Sequence, residues 1–180
     1  MEEKTEITTP FRNHRAGFVS IIGKPNVGKS TLMNVLVGER MSIITSKAQT
    51  TRHRIMGILN GKHEEIPFQL VYSDTPGVIK PAYKLHDSMM TFVKGSLEDA
   101  DVVLFVAEVG EKVADHEVLP LLKRADAPII LVLNKIDLSD EEHVKLKMAE
   151  WQEAIEPDAI IPISAAIAKT CSKWPNKPST

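Results

Sequence analysis

One eight-residue stretch limits the possible folds of this chain more than any other. Residues Gly23–Ser30 read GKPNVGKS and satisfy the pattern G-x-x-x-x-G-K-[ST]. An apolar run precedes the stretch and a segment of helical period follows it, as in a phosphate-binding loop between a strand and a helix. Gly23 and Gly28 let the backbone bend around phosphate oxygens, while N–H groups and the helix N-terminus face the negative charge. The stretch predicts a P-loop fold, and a glycine turn before a capped helix is the competing interpretation.

The loop supplies most of the expected nucleotide contacts. Lys29 is expected to reach the β- and γ-phosphates and so to act in catalysis, and the Ser30 hydroxyl is expected to ligate Mg²⁺. The expected contacts of this segment are Gly23, Lys24, Pro25, Asn26, Val27, Gly28, Lys29, Ser30 and Thr31. The loop alone does not distinguish one nucleotide from another.

Composition and charge narrow the class of protein. A chain of 180 residues, 43% of them hydrophobic, suits one domain with a buried core. The formal net charge of −2 gives no general reason to expect nucleic-acid binding. The single cysteine, Cys171, excludes an internal disulfide framework, and the polar N-terminus lacks the apolar stretch of a signal peptide. We therefore expect a cytoplasmic protein.

Short runs rich in Val, Ile and Leu alternate with helical segments, which is typical of an α/β protein with a mostly parallel sheet. Strands are predicted at residues 16–23, 54–60, 66–73, 101–107, 128–134 and 159–163, and helices after residue 28 and at 85–97, 114–123 and 139–154. The Asn60-Gly61 pair is a hairpin turn signal, so the second strand is expected antiparallel to the third. Ser139 is the expected N-cap of the last helix, and Trp151 is expected to anchor that helix to the sheet. The six histidines are expected at the surface.

The residues after the fifth predicted strand indicate which base is bound. Residues 133–137 read LNKID, and a carboxylate at Asp137 can accept from the N1–H and the exocyclic amine of guanine together. Adenine offers no such pair of donors, so the motif favours GTP over ATP and disfavours an ATP-dependent kinase. Asn134 and Lys135 would tie this loop to the phosphate loop and flank the purine ring. Ser164 and the Ala165 N–H are expected to contact the guanine carbonyl oxygen. The competing interpretation of the N-K-x-D motif is a polar loop that begins the next helix.

Two further segments are expected to act at the γ-phosphate. Asp74, at the end of the third strand, can hold Mg²⁺ through water, and Gly77 can turn its N–H onto the γ-phosphate. An ordinary Thr-Pro-Gly turn would explain the turn residues but not the carboxylate. The binding set expected here is Asp74, Thr75, Pro76, Gly77 and Val78, with Gly77 also catalytic. Before the second strand, Thr51, or Thr50 in its place, is expected to close over Mg²⁺ and the γ-phosphate as a catalytic and metal-binding residue.

Four segments in this order resemble one family of GTPases. The GTPase domain of the Era family is similar to this chain from about residue 16 to 164, and the similarity is carried by the segments GKPNVGKSTLMN, KAQTTRHRI, DTPG and NKID. The stretch QTTRH at 49–53 is the part of the match most specific to that family. Der-type GTPases share the other three motifs and are an alternative. The resemblance implies a Ras-like three-layer α/β/α P-loop NTPase with a six-stranded, mostly parallel sheet in the order 2-3-1-4-5-6 and strand 2 antiparallel. It also implies Mg²⁺-dependent hydrolysis of GTP to GDP and phosphate, and a role in small ribosomal subunit maturation.

The resemblance also divides the chain and names partners. It implies a G domain at 15–166. The polar residues before it, 1–14, are expected from their composition to form a disordered N-terminal extension. Era proteins continue into an RNA-binding KH domain, whereas residues 167–180 form an atypical tail, and the chain has no G-x-x-G sequence of the kind that clamps RNA in KH domains. The implied partners are guanine nucleotide, the 30S subunit and 16S rRNA, without DNA and with peripheral association at the inner face of the cell membrane.

Val78 raises a question about hydrolysis. Many GTPases place a water-orienting glutamine directly after the glycine of the D-x-x-G turn, and a valine cannot hold that water. A guanine-nucleotide-binding module without hydrolysis is therefore an alternative. In K⁺-activated GTPases with a G-x-P-N loop, the asparagine helps to hold a potassium ion beside the phosphates. By that resemblance Asn26 is a catalytic residue and K⁺ a further cofactor, and a simple turn after Pro25 is the competing interpretation.

Overall fold

A six-stranded sheet organises the chain. The computed structural model describes residues 14–38, 55–74, 93–116 and 118–170. The strands are β1 (Arg15–Ile22), β2 (Ile55–His63), β3 (Ile66–Asp74), β4 (Val102–Glu108), β5 (Ile129–Asn134) and β6 (Ala159–Pro162). Their order across the sheet is β2-β3-β1-β4-β5-β6. Strand β2 runs antiparallel to β3 and the other neighbours pair in parallel, which confirms the predicted topology.

The described helices lie between most consecutive strands, and the last of them follows the last strand. They are α1 (Lys29–Val37), α2 (residues 93–98), α3 (Leu119–Leu122), α4 (Glu141–Ile155) and α5 (Ala165–Thr170), with short 3-10 turns at Val113–Asp115 and Ile136–Leu138. The continuous helix predicted at 114–123 is wrong. Pro120 lies in the first turn of α3 and has no N–H to donate, so a regular helix cannot run through it from residue 114. Helix α5 extends beyond the predicted domain boundary at residue 166.

The core lies on both faces of the sheet. Successive strand residues point to opposite faces, and Ile21 and Ile22 accordingly enter different apolar clusters. One cluster joins Ile22 and Phe105 to α2, α3 and α4, and the other joins Ile21 to Met33 of α1 and to the start of α5. This division gives the predicted three-layer α/β/α arrangement. None of the described helices is both long and apolar enough to cross a membrane.

Trp151 anchors α4 to the sheet, as predicted. Its side chain is fully buried and its ring meets the ring of Phe105 edge to face at 5.2 Å. The prediction that all histidines lie at the surface is wrong for His116, which is only 4% exposed. The His116 ring centroid lies 4.8 Å from that of Trp151, and its Nε2 lies 2.9 Å from Glu111 Oε2. His116 therefore fills a gap in the aromatic part of the core.

The β2–β3 hairpin turns later than its sequence signal. Both strands continue past Asn60-Gly61, and the turn is formed by Glu64 and Glu65, which have φ values of 49° and 65°. Gly61 instead lies in the ladder opposite Phe68, where a Cβ would come within 2.5 Å of the aromatic ring. The glycine therefore makes room for a cross-strand aromatic ring, a recognised reason for glycine inside a strand. The antiparallel pairing was predicted correctly, and the turn position was not.

The beginning of α4 also differs from the prediction by one residue. Asp140, not Ser139, is the N-cap, because its Oδ1 accepts the backbone N–H of His143 at 2.8 Å. Ser139 has an extended backbone and ends the preceding 3-10 turn. A carboxylate at this position also interacts favourably with the positive end of the helix dipole.

Candidate nucleotide-binding site

Those of the expected site residues that the structure describes lie along one edge of the sheet. Strands β1, β3, β4 and β5 are parallel, so their carboxyl ends meet at that edge. The loop at residues 23–28 follows β1, and the backbone of Asp74 ends β3 opposite Ile21. Asn134 ends β5, and Ser164 lies between β6 and α5. The topology thus brings together segments that are far apart in the sequence.

The phosphate loop has two positions that exclude a side chain. A Cβ at Gly23 would overlap the backbone carbonyl oxygen of Val106 in β4, so the loop leaves β1 in contact with the sheet. Gly28 has φ 103°, and a Cβ there would overlap the side-chain amide nitrogen of Asn134. Asn26, with φ 63°, is exposed in the left-handed region that asparagine tolerates better than most residues. The loop conformation therefore requires both glycines of the motif.

Lys29 closes the loop on itself. Its Nζ donates to the carbonyl oxygens of Gly23 at 3.0 Å and Lys24 at 2.8 Å, and the residue is only 6% exposed. Gly28 caps α1 without a side-chain hydrogen bond, so no cap side chain covers the first N–H groups of the helix. Ser30 and Thr31 lie in this first turn. A cation and a helix N-terminus at one loop form a site for a phosphate group.

Asn134 connects three segments of the site. It is 2% exposed, and its Nδ2 donates to the Val27 carbonyl oxygen at 2.8 Å. Its Oδ1 accepts the backbone N–H of Ala165 at 2.9 Å. That N–H was expected to face the guanine carbonyl oxygen, and in this structure it instead satisfies the buried amide. The phosphate loop, the end of β5 and the start of α5 are therefore held by one side chain.

Asp137 lies at the surface next to Ser164. The Ser164 hydroxyl donates to Asp137 Oδ1 at 2.5 Å, whereas the sequence predicted that this hydroxyl faces the guanine carbonyl oxygen. The carboxylate is exposed, and an ionised carboxylate has further lone pairs that can accept other donors. The backbone N–H of Ile136 donates to the Ile163 carbonyl oxygen at 3.3 Å, so the two loops are also joined through the main chain.

The contact of Glu108 with the predicted site residue Lys135 was not expected from the sequence. This last residue of β4 forms an ion pair with Lys135, whose own backbone has the left-handed φ of 62°. An acidic residue at the end of a strand that neighbours β5 was the available signal, since parallel strands present their last residues side by side. Six residues predicted to act at the γ-phosphate lie outside the described part of the chain: Thr50, Thr51, Thr75, Pro76, Gly77 and Val78.

These elements define a P-loop nucleotide-binding domain, with Lys29 at the phosphate loop after β1 and Asp137 in the loop after β5. A family model described as 50S ribosome-binding GTPase matches residues 18–135, and the chain belongs to that family. Similarity to GTPase Era in both sequence and structure confirms the predicted resemblance.

The chain is 45% identical to GTPase Era of Clostridium acetobutylicum over 161 residues, which are 88% of this chain and 53% of that protein. The structure of an Aquifex aeolicus Era variant bound to GDP and AlF4⁻ has a TM-score of 0.72 and 38% identity, over 92% of this chain and 58% of that one. Era in complex with MgGDPNP and nucleotides 1506–1542 of 16S ribosomal RNA has a TM-score of 0.74 and 37% identity, over 92% of this chain and 60% of that one. The chain therefore spans between half and two thirds of the length of these relatives.

Proposed function

We propose that this chain is an Era-type G domain that binds GTP and hydrolyses it to GDP and phosphate. The observation that carries the proposal is the position of Asn134, which joins the phosphate loop to the loop that bears Asp137. Because one buried amide holds both, the distance between a phosphate subsite and a base subsite is set before any ligand binds. The solved Era relatives contain GDP or a GTP analogue, which supports a guanine nucleotide as the ligand.

Base selection rests on Asp137. Its carboxylate accepts the N1–H and exocyclic amine of guanine, while Ser164 holds one of its oxygens from the side. Adenine has neither donor at these places, so it would leave the carboxylate unpaired. A site built to bond particular donors rejects an analogue that lacks them by about 10⁴-fold.

The triphosphate end would be held by Lys29 and the amides of the loop and α1. Mg²⁺ fits this end, because the Ser30 hydroxyl lies in the first turn of α1 and Asp74 ends the strand beside β1. We assign Ser30, Asp74 and Thr51 as the residues that hold Mg²⁺, which would neutralise charge on the β- and γ-phosphate oxygens. The presence of Mg²⁺ in the relative with GDPNP supports this assignment.

Hydrolysis would proceed without a glutamine at position 78. Lys29 would stabilise the charge that develops on the γ-phosphate, Gly77 would donate its N–H to it, and Thr51 would order the loop that holds the water. We include K⁺ as a cofactor held with the help of Asn26, which the loop places at its exposed rim in the left-handed conformation. There K⁺ would add positive charge beside the phosphates.

The wider role is proposed from the relatives alone. A relative that binds nucleotides of 16S ribosomal RNA supports a function in small ribosomal subunit maturation, with the 30S subunit as partner. This chain covers 60% of that protein, so the RNA contacts of the relative are not assigned to residues here. We place the protein in the cytoplasm, with peripheral association at the membrane, on the basis of family membership.

Nucleotide competition and single-turnover hydrolysis test the proposal. GTP and GDP should displace a fluorescent guanine nucleotide at concentrations about 10⁴-fold below ATP. Asp137→Asn should shift the preference toward xanthosine nucleotides, whose ring presents an acceptor at this position. Phosphate should then be released from bound GTP in a single turnover. Equal affinity for ATP and GTP would overturn the base assignment, and tight GTP binding without phosphate release would leave a binding module.

A further inference from the structure

Glu108 lies beside the residue that precedes Lys135. In the parallel pairing of β4 with β5, Glu108 is opposite Asn134. The next residue of this segment, Val109, donates its N–H to the Asn134 carbonyl oxygen at 3.1 Å. The end of β4 is therefore bonded to the backbone from which the base-recognition loop begins, and Glu108 has a fixed position relative to that loop.

The ammonium of Lys135 is directed to Glu108. The two side chains form an ion pair and are 32% and 34% exposed. The left-handed backbone at Lys135 interrupts the strand direction immediately after β5, so its side chain leaves the sheet toward the end of β4. A partly exposed pair of this kind is a modest contributor to stability, of order 1 kcal/mol or less. Its more important effect is on where the lysine charge is placed.

A second carboxylate lies two residues further along the chain. Asp137 is exposed and accepts the Ser164 hydroxyl. A lysine has a flexible four-carbon stem and a compact charge, so an ammonium released by Glu108 can turn toward this neighbouring carboxylate. Such an ammonium would compete with the purine donors for the Asp137 oxygens.

We infer that Glu108 is a positioning residue for guanine recognition: it holds the Lys135 ammonium away from Asp137 and so keeps that carboxylate free for the base. The inference rests on the proposed function, in which Asp137 reads guanine. Glu108 touches no reacting atom and acts through Lys135. Its negative charge is the required property, because a neutral amide of the same shape would not hold the ammonium as strongly.

A comparison of guanosine with inosine diphosphate tests this role. Inosine keeps the N1–H but lacks the exocyclic amine, so the ratio of the two affinities reports the bond from that amine to Asp137. Glu108→Gln should reduce the preference for GDP over IDP about fivefold, which corresponds to roughly 1 kcal/mol. Glu150→Gln is the matched control, because it releases Lys147 from an ion pair on α4 and should leave the ratio unchanged. A merely structural loss at Glu108 would weaken both ligands equally, and that result would overturn the inference.

Substitution of Lys135 provides a second test of the inference. In a Lys135→Met background the competing cation is gone, so adding Glu108→Gln should no longer change the GDP to IDP ratio. An undiminished effect of Glu108→Gln in this background would show that Glu108 does not act through Lys135, and it too would overturn the inference.

A measurement on the nucleotide-free protein separates this inference from the proposed function. NMR signals of the Lys135 ε-methylene should respond to Asp137→Asn only when Glu108→Gln is also present. An equal response in both backgrounds would mean that Lys135 already contacts Asp137, which would overturn the inference whether or not the protein binds guanine. A wild-type protein without preference for GDP over IDP would instead count against the proposed function.

Discussion

The side-chain amide of Asn134 donates to the backbone carbonyl oxygen of Val27 at 2.8 Å, across 107 residues of sequence. The same amide accepts the Ala165 N–H, so both of its ends are satisfied inside the protein. This relationship links the end of β5 and the start of α5 to the phosphate loop, because one buried side chain bonds to both the loop and α5.

Asn134→Ala should therefore damage stability and binding together. The substitution leaves the Ala165 N–H and the Val27 carbonyl oxygen without their partner, and an unsatisfied buried group costs about 1–3 kcal/mol. We expect the free energy of unfolding in urea to fall by about 2–4 kcal/mol, and affinity for GDP to fall with it. Asn60→Ala is the control, because it removes an exposed hydrogen bond to Gln69 and should cost little. Unchanged GDP affinity in Asn134→Ala would contradict the coupling.

Gly28→Ala should reduce the affinity for nucleotide by more than the accompanying loss of protein stability would cause. Gly28 and Gly38 both have positive φ values, of 103° and 76°, so an alanine is strained at either site, by about 1–2 kcal/mol at Gly38 and by more at Gly28, whose φ lies further from the left-handed region. Only at Gly28 would the new Cβ overlap a side chain, that of Asn134, whereas nothing lies within 4 Å at Gly38. Calorimetric titration with GDP should show weaker binding for Gly28→Ala and near wild-type binding for Gly38→Ala. Equal losses for both variants would show that the overlap is unimportant.

The hairpin turn offers a stabilising change. Glu64 and Glu65 both have positive φ, which non-glycine residues other than Asn and Asp adopt at a cost. The double substitution Glu64→Asn and Glu65→Gly should raise the free energy of unfolding by about 1 kcal/mol, with GDP affinity unchanged. Urea denaturation measures the effect. A less stable variant would place the turn elsewhere, with Asn60-Gly61 as the next candidate.

Tyr72 should make the fold sensitive to strong alkali. Burial raises the pKa of Tyr72 above its ordinary value of 10.0. The unfolded chain therefore loses this proton at a lower pH than the folded protein, so the unfolding free energy falls as the pH rises above about 10. Tyr72→Phe should make this decline less steep, as measured by urea titrations between pH 9 and pH 11 at about one-unit intervals. Identical slopes for the two proteins would mean that Tyr72 ionises in the folded state as readily as in the unfolded one.

Potassium should accelerate GTP turnover relative to sodium at equal ionic strength. Asn26 is the residue proposed to help hold the ion, so Asn26→Ala should remove the difference between the two salts. Val78→Ala should leave it, since the valine has no part in binding a cation. A positive charge that assists phosphoryl transfer can be worth about 10³-fold in rate, so even a partial effect is measurable by phosphate release. Equal wild-type rates in both salts would exclude potassium from the mechanism.

The mostly parallel sheet and the place of the nucleotide loops were predicted from local patterns, whereas the strand order was implied by the resemblance to the Era family. Apolar strands that alternate with helical segments predict a parallel sheet, and GKPNVGKS between β1 and α1 predicts a phosphate loop, because both depend on residues close together in sequence. The glycines of that loop are needed locally, although their neighbours, Val106 and Asn134, come from distant strands.

Tertiary packing decided the features that local patterns misplaced. Asn60-Gly61 is a good turn sequence, yet both strands continue past it, with Gly61 facing the Phe68 ring across the ladder, and the chain turns at Glu64-Glu65. His116 is polar, yet it is buried because Phe105 and Trp151 leave space for its ring. These outcomes depend on contacts between separate elements, which a local pattern does not contain.

The same division holds within the site. The sequence by itself predicted Lys29, Asn134 and Asp137 as site residues, since each belongs to a short motif whose residue types match the chemistry of phosphate or guanine. Only the tertiary structure placed Glu108 on Lys135 and the Ala165 N–H on Asn134, because these contacts arise where β4, β5 and α5 meet at one edge of the sheet. Motifs predict which groups contact a ligand, whereas the contacts between those groups and the rest of the protein depend on which strands the fold places side by side.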